Sequence, residues 1–164
     1  FWLVDSGLER TMENLEKHGK KSKYHSRRRA RECVFQGLYA MEISGNSQDK
    51  TFSDMLNRYS FDEDTKSFAS SLYIKTLDQK QFLEKTISKF LENWELGRIA
   101  LLDNLILQMA VCELLFFDDV PPKVSISEAI EIAKKYSTDD SSGFVNGILD
   151  SVFKEVVKKN IISH

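Results

Sequence analysis

Residues 99–117 read IALLDNLILQMAVCELLFF, the most apolar stretch of the chain. With each residue advancing about 100° around a helix, the side chains from Leu102 to Phe116 are apolar on every side. Only Asp103, Asn104, Gln108 and Glu113 interrupt them. A helix that is apolar all round has to be surrounded by others, so this segment is expected to be the central helix of the fold.

Working outward, Glu95-Leu96-Gly97 breaks the chain before this helix, and residues 62–94 contain neither Gly nor Pro. Apolar side chains recur there at mostly helical intervals, which predicts one long helix or two in tandem with a bend at 77–80. Phe52, Met55, Leu56 and Tyr59 have the i, i+3, i+4, i+7 spacing of a shorter helix, after a loop at 44–50. On the other side, Asp118-Asp119-Val120-Pro121-Pro122 is a stop, since the residue before Pro disfavours helical angles. Residues 123–136 then start a helix in which Ser125 and Glu128 have capping-box spacing and Glu131 can pair with Lys135. The N-cap residues of 137–143 lead into a last helix with Phe144, Val145, Ile148, Leu149, Val152 and Val156 on one arc. We read Gly143 and Gly147 as the start of that helix and a close helix contact.

Seven Gly and two Pro in 164 residues, with 41% hydrophobic side chains, favour a single domain of long helices over many short strands. No solenoid period is present. The expected architecture is all-α, a compact helical bundle. Its extent is taken as 26–157, with a flexible basic extension at 1–25 and a frayed tail at 158–164. Residues 1–11 precede the first Met, Met12, and are expected to be an added or upstream piece without functional weight.

The charge signal lies in 26–43, SRRRARECVFQGLYAMEI. Ala30, Cys33, Val34, Gly37, Leu38 and Met41 share one apolar arc; Arg28, Arg31, Phe35, Tyr39 and Glu42 form a second face. With the helix expected to open near Ser26, its arginines oppose the macrodipole at roughly 0.3–1 kcal/mol each. A role in solvent therefore explains them better than helix stability. Lys17, Lys20, Lys21, Lys23, Arg27, Arg28, Arg29 and Arg31 place eight of the 23 cations within residues 17–31, leaving 15 cations against 25 acids, a net of −10. A focused positive patch on an acidic body is an electrostatic footprint for phosphates. Arginine also grips phosphate bidentately and stacks on unpaired bases, and the adjoining aromatic rings suit single-stranded nucleic acid.

Catalysis finds little support. His18, His25 and His164 all lie in the expected tails, which leaves no imidazole beside a buried nucleophile. The chain has no CxxC, HExxH, Walker or GxGxxG motif. Asp118, Asp119, Asp139 and Asp140 lack the ligand spacing of a calcium loop and read as caps or solvated charge. No catalytic residue, metal or cofactor is expected. Cys33 and Cys112 sit among apolar neighbours and read as buried thiols in a reducing compartment. No apolar run approaches the ~18–20 residues of a membrane span, and no signal-peptide core opens the chain. A cytoplasmic protein without a membrane partner is expected. The leading reading is an RNA-binding factor, and the alternative is a helical protein–protein adaptor with an incidental basic segment.

The opening helix, SRRRARECVFQGLYAMEIS, resembles that of the NusB family. So does 101–152, LLDNLILQMAVCELLFFDDVPPKVSISEAIEIAKKYSTDDSSGFVNGILDSV, through its DVPPKV, SEAIEIAK and FVNGILD segments. The resemblance covers about 26–152. It implies two packed helical subdomains and a transcription antitermination factor that pairs with the small-subunit ribosomal protein NusE. Together they would bind boxA-type, single-stranded RNA within the RNA polymerase antitermination complex and support rRNA transcription. It further implies RNA contacts by Arg27, Arg28, Arg29 and Arg31 and by the 141–144 region, through Ser141 and Phe144. Tyr39 and Asp103 match positions of the NusE-side surface. Tyr39 lies off the main apolar arc, and Asp103 is a lone acid in an apolar helix. Gln108 stands where many members carry Arg, and Gly143 where Lys is common.

Overall fold

In the computed structural model, which describes residues 2–45, 48–91, 97 and 99–162, the chain forms α1 (Trp2–Ser44), α2 (Gln48–Asn57), α3 (Glu63–Asp78), α4 (Lys80–Ser88), α5 (Leu101–Phe116), α6 (Pro122–Tyr136) and α7 (Asp139–Ile162). The described residues contain no strand. Helix α5 is buried without interruption from Leu105 to Glu113 and touches α1, α3, α4, α6 and α7. Covering Ile106, Leu107, Met109 and Val111 on all sides stabilises the fold by roughly 1.5–3 kcal/mol per side chain relative to exposure. Around this axis α1, α2 and α3 pack as one group and α6 and α7 as another, with α4 against α5 between them.

Local chemistry accounts for most boundaries. The Asp62 side chain accepts from the Thr65 N–H at 2.8 Å and caps α3. Gln79, at φ −99° and ψ 13°, separates α3 from α4, so residues 62–94 begin with two helices in tandem. Gly45 closes α1 at φ 63°, a conformation that glycine adopts without a Cβ penalty, and its N–H bonds the Met41 carbonyl at 3.1 Å. Gly37 permits a close approach of another kind. A Cβ there would lie 3.1 Å from Phe52 Cδ2 and 3.3 Å from Tyr73 Cε2, two rings stacked 4.0 Å apart.

Several expectations need correction. Helix α1 does not open near Ser26 but starts at Trp2. The cost of one interior glycine, Gly19, is about 1 kcal/mol and does not break a helix of this length. The arginines are consequently mid-helix, where the terminal dipole has no hold on them. Helix α6 begins at Pro122, whose fixed φ suits a first turn. Ser125 is therefore inside the helix and buried, with no partner for its Oγ, and the expected capping box with Glu128 does not form. Lys135 bonds Glu32 of α1 at 3.0 Å, while Glu131 lies 3.6 Å from Lys134 instead. The start of α7 is capped by Thr138, whose Oγ1 accepts from the Ser141 N–H at 3.1 Å, and its helix continues to Ile162 through most of the expected tail. Gly147 is exposed and nothing lies within 4 Å of its would-be Cβ, so it makes no close helix contact.

Candidate nucleic-acid interface

The four arginines lie on one turn and a half of α1, and the neighbouring helices treat each differently. Arg31 is buried: Nε donates to both Glu113 oxygens at 3.0 and 2.9 Å, Nη2 donates to Oε1, and the two side chains are 3% and 2% exposed. Its guanidinium also lies 5.2 Å from the Phe68 ring. The expectation that Arg31 faces solvent is thus corrected. An acid buried inside the most apolar helix needs a partner, because an unpaired buried carboxylate is far costlier than a paired one, and Arg31 supplies it for Glu113.

Arg28 is held at a fork. Its Nε donates to Glu128 Oε2 at 2.9 Å and its Nη2 to Glu128 Oε1 at 3.0 Å. The Arg28 side chain is 46% exposed although that of Glu128 is 3% exposed. This hydrogen-bonded pairing raises Arg28 above the ordinary arginine range, helped by the charges of Glu131 and Glu32 and opposed by partial burial. Arg27 reaches exposed Asp119 at 3.2 Å and lies 4.5 Å over the Phe68 ring. Arg29 is exposed, with its guanidinium 5.3 Å from the Tyr59 ring and 5.8 Å from Phe61. His25 and Lys17 continue the exposed part of the helix. Lys20, Lys21 and Lys23 have side chains outside the described residues.

The aromatic face also divides. Phe35, expected beside the arginines in solvent, is buried and packs at 5.2 Å on Tyr136 of α6. Tyr39 is 42% exposed, and Ile43 beyond it is also exposed. The second face of α1 therefore starts as a packing surface against α5 and α6 and turns to solvent toward its C-terminal end.

Asp103 is buried and does not present its carboxylate outward. Its Oδ2 accepts from the Ser141 hydroxyl at 2.9 Å and its Oδ1 from Ser137 at 3.1 Å, while Thr138 donates to Ser141 Oγ at 3.0 Å. Ser141, expected at the RNA surface, is buried within this cluster. The cluster fixes the turn between α6 and α7. Phe144 is half-buried against the core, and Gly143 is exposed. Gln108 is buried, with Nε2 donating to Asn104 at 3.0 Å, so its surroundings take the neutral side chain without an unpaired charge.

Glu113 and Glu128 were missed as partners of the arginines. The available signal was the same in both: an acid on an otherwise apolar helix face. Neither catalysis nor metal binding gains a constellation among the described residues, which contain no group of three or more potential metal ligands. Cys33 and Cys112 are free and buried, and burial pushes both thiols up to about 11. No helix among the described residues is long and apolar enough to cross a membrane.

Comparison with known proteins places this geometry. The chain is 44% identical over 133 residues to the transcription antitermination protein NusB of Salinibacter ruber, covering 80% of this chain and 82% of that protein. It is 44% identical over 138 residues to the NusB of Chloroherpeton thalassium, covering 84% of this chain but only 65% of that protein's length. Among solved structures, T. maritima NusB superposes with a TM-score of 0.74 at 38% identity, over 79% of this chain and 91% of that one. A chain from the crystal structure of antitermination factors NusB and NusE in complex with dsRNA shares the fold, with a TM-score of 0.73 at 22% identity over 81% of this chain and 98% of that one. The NusB family model matches residues 28–154, from the arginine helix to the middle of α7, and the chain belongs to the NusB family.

Proposed function

We propose that this chain is a cytoplasmic transcription antitermination factor that binds boxA-type single-stranded RNA together with the ribosomal protein NusE, within the RNA polymerase antitermination complex, and supports rRNA transcription. The observation that carries this reading is the family match across an arginine helix whose Arg28 and Arg29 reach solvent on a body that is otherwise net acidic. Phosphate contacts come from Arg29, Arg28 and the outer edge of Arg27, and Phe144 of α7 offers a ring to the RNA. Arg31 supports that surface from inside through Glu113, and Asp103 and Ser141 hold the α6–α7 turn that leads to Phe144. Tyr39 lies on the NusE side. The unit is 26–157, preceded by the basic 1–25 segment, and its role is binding without catalysis.

Phosphate contacts position a nucleic acid but carry no sequence information. Alone, the chain therefore binds RNA weakly, and a second protein that completes the surface raises both affinity and discrimination. Titration of boxA-type and scrambled RNA, with and without NusE, tests this. The expected result is a gain of at least about tenfold for boxA on adding NusE, or about 1.4 kcal/mol. Equal affinity for both RNAs in both conditions favours the adaptor alternative.

A further inference from the structure

A guanidinium has five N–H donors arranged along two forked edges. In Arg28, Glu128 occupies only the Nε/Nη2 edge. No acceptor among the described residues engages Nη1, and nearly half of the side chain is exposed. The unused edge, formed by Nη1 and the second Nη2 proton, has the geometry that grips a phosphate through two parallel hydrogen bonds. Glu128 itself comes from α6, a hundred residues away in sequence, and its carboxylate is out of solvent. It thus anchors the arginine from behind without lying on the outer surface. An unanchored arginine has rotamer freedom to lose on binding, and a fork held in advance reduces that loss.

We infer that Glu128 is a positioning residue for RNA binding: it fixes the plane of Arg28 so that the outer guanidinium edge receives one backbone phosphate. The inference rests on the RNA-binding reading above. It also carries a sign opposite to simple electrostatics. Removing a negative charge near a phosphate site raises affinity if the carboxylate merely offsets the arginine. Removing it lowers affinity if the carboxylate holds the arginine in place.

The test is boxA RNA binding in the presence of NusE, at fixed salt, for the parent, Glu128→Gln, Glu128→Asp, Arg28→Lys and Arg28→Lys/Glu128→Gln. Circular dichroism at the titration temperature and the binding stoichiometry report the folded fraction of each protein. Glu128→Gln is expected to weaken RNA binding at least threefold. Glu128→Asp, which keeps the charge but is one methylene too short for the fork, is expected to do likewise. In the Arg28→Lys background the glutamine should cost nothing further, since an ammonium has no plane to orient; NusE binding in the absence of RNA should be unchanged throughout. Equal or tighter RNA binding by folded Glu128→Gln, or a glutamine effect undiminished in the Arg28→Lys background, overturns the positioning role while leaving the RNA reading intact. A parent protein that shows no boxA preference with NusE present overturns both. Should Glu128→Gln fail to fold, folded Glu128→Asp decides the matter by the same criterion, with parental affinity counting against the role.

Discussion

Arg31 of α1 and Glu113 of α5 form a charged pair inside the protein, Nε lying 2.9 and 3.0 Å from the two carboxylate oxygens. Removing one member of such a pair leaves the other buried and unpaired, which costs about 3–5 kcal/mol. At about 2–4 °C per kcal/mol for a chain of this size, Arg31→Ala should lower the melting temperature by roughly 6–20 °C. The double variant Arg31→Met/Glu113→Leu should recover most of the loss, because no charge is then stranded. A melting temperature within about 2 °C of the parent for Arg31→Ala would show the pair to be more solvated than its geometry indicates.

Arg29 is the contrasting case. Its contacts are exposed cation–π approaches to Tyr59 and Phe61, worth about 0.5–1 kcal/mol. Arg29→Ala should therefore shift the melting temperature by no more than a few degrees. For single strands each phosphate neutralised contributes about 0.7 to the slope of log affinity against log salt. The substitution should weaken RNA binding and flatten that slope by about this amount. A parental slope would remove Arg29 from the phosphate contacts.

These two arginines also mark what could be read from sequence. The apolar stretch around α5, the tandem helices α3 and α4 and the stop at Pro121-Pro122 were legible because burial and backbone sterics act through neighbours in the chain. Arg29 and Arg31 lie about 200° apart around the helix, so periodicity puts them on different faces, but which face meets a buried acid is set by tertiary partners. Glu113 lies 82 positions from Arg31, and nothing in local periodicity links the pair. The helix start was misplaced for a related reason: a basic polar run with one glycine reads as a break, yet the helical register of α1 continues through it. Asp103 was misread because an acid in an apolar helix can face outward, pair with a buried cation as Glu113 does, or accept from an internal hydroxyl cluster, and the hydroxyls of Ser137 and Ser141 become neighbours only after α6 and α7 pack.

The thiols give a prediction with a definite pH direction. Burial raises Cys33 and Cys112 to about 11 from an ordinary value near 9, so both are protonated and shielded at neutral pH. A thiol-specific reagent at pH 7–8 should modify them only on unfolding, at a rate that rises with denaturant. A raised acid pKa means that the folded state holds its protons more tightly than the unfolded chain does. The stability contributed is full below about pH 9 and is lost as pH climbs toward 11. Rapid modification of the native protein at pH 7.5 would contradict the burial of these side chains.

Tyr39 and Asp103, paired by the family resemblance as partner-side residues, should separate on mutation. Tyr39 is 42% exposed, so Tyr39→Asp should leave the helical circular dichroism intact and the melting temperature near the parent's, yet weaken NusE capture at least about tenfold, or 1.4 kcal/mol. Asp103 accepts from Ser137 and Ser141 inside the protein. Asp103→Ala leaves two hydroxyls without their acceptor, at about 1–3 kcal/mol, and loosens the turn that Thr138 caps. Its melting temperature should fall. Measured well below that temperature, however, NusE binding by folded Asp103→Ala should stay within a few-fold of the parent, since the carboxylate does not reach the surface. If folded Asp103→Ala instead loses NusE as completely as Tyr39→Asp, the carboxylate must leave its serine partners on complex formation and take a direct part in the interface.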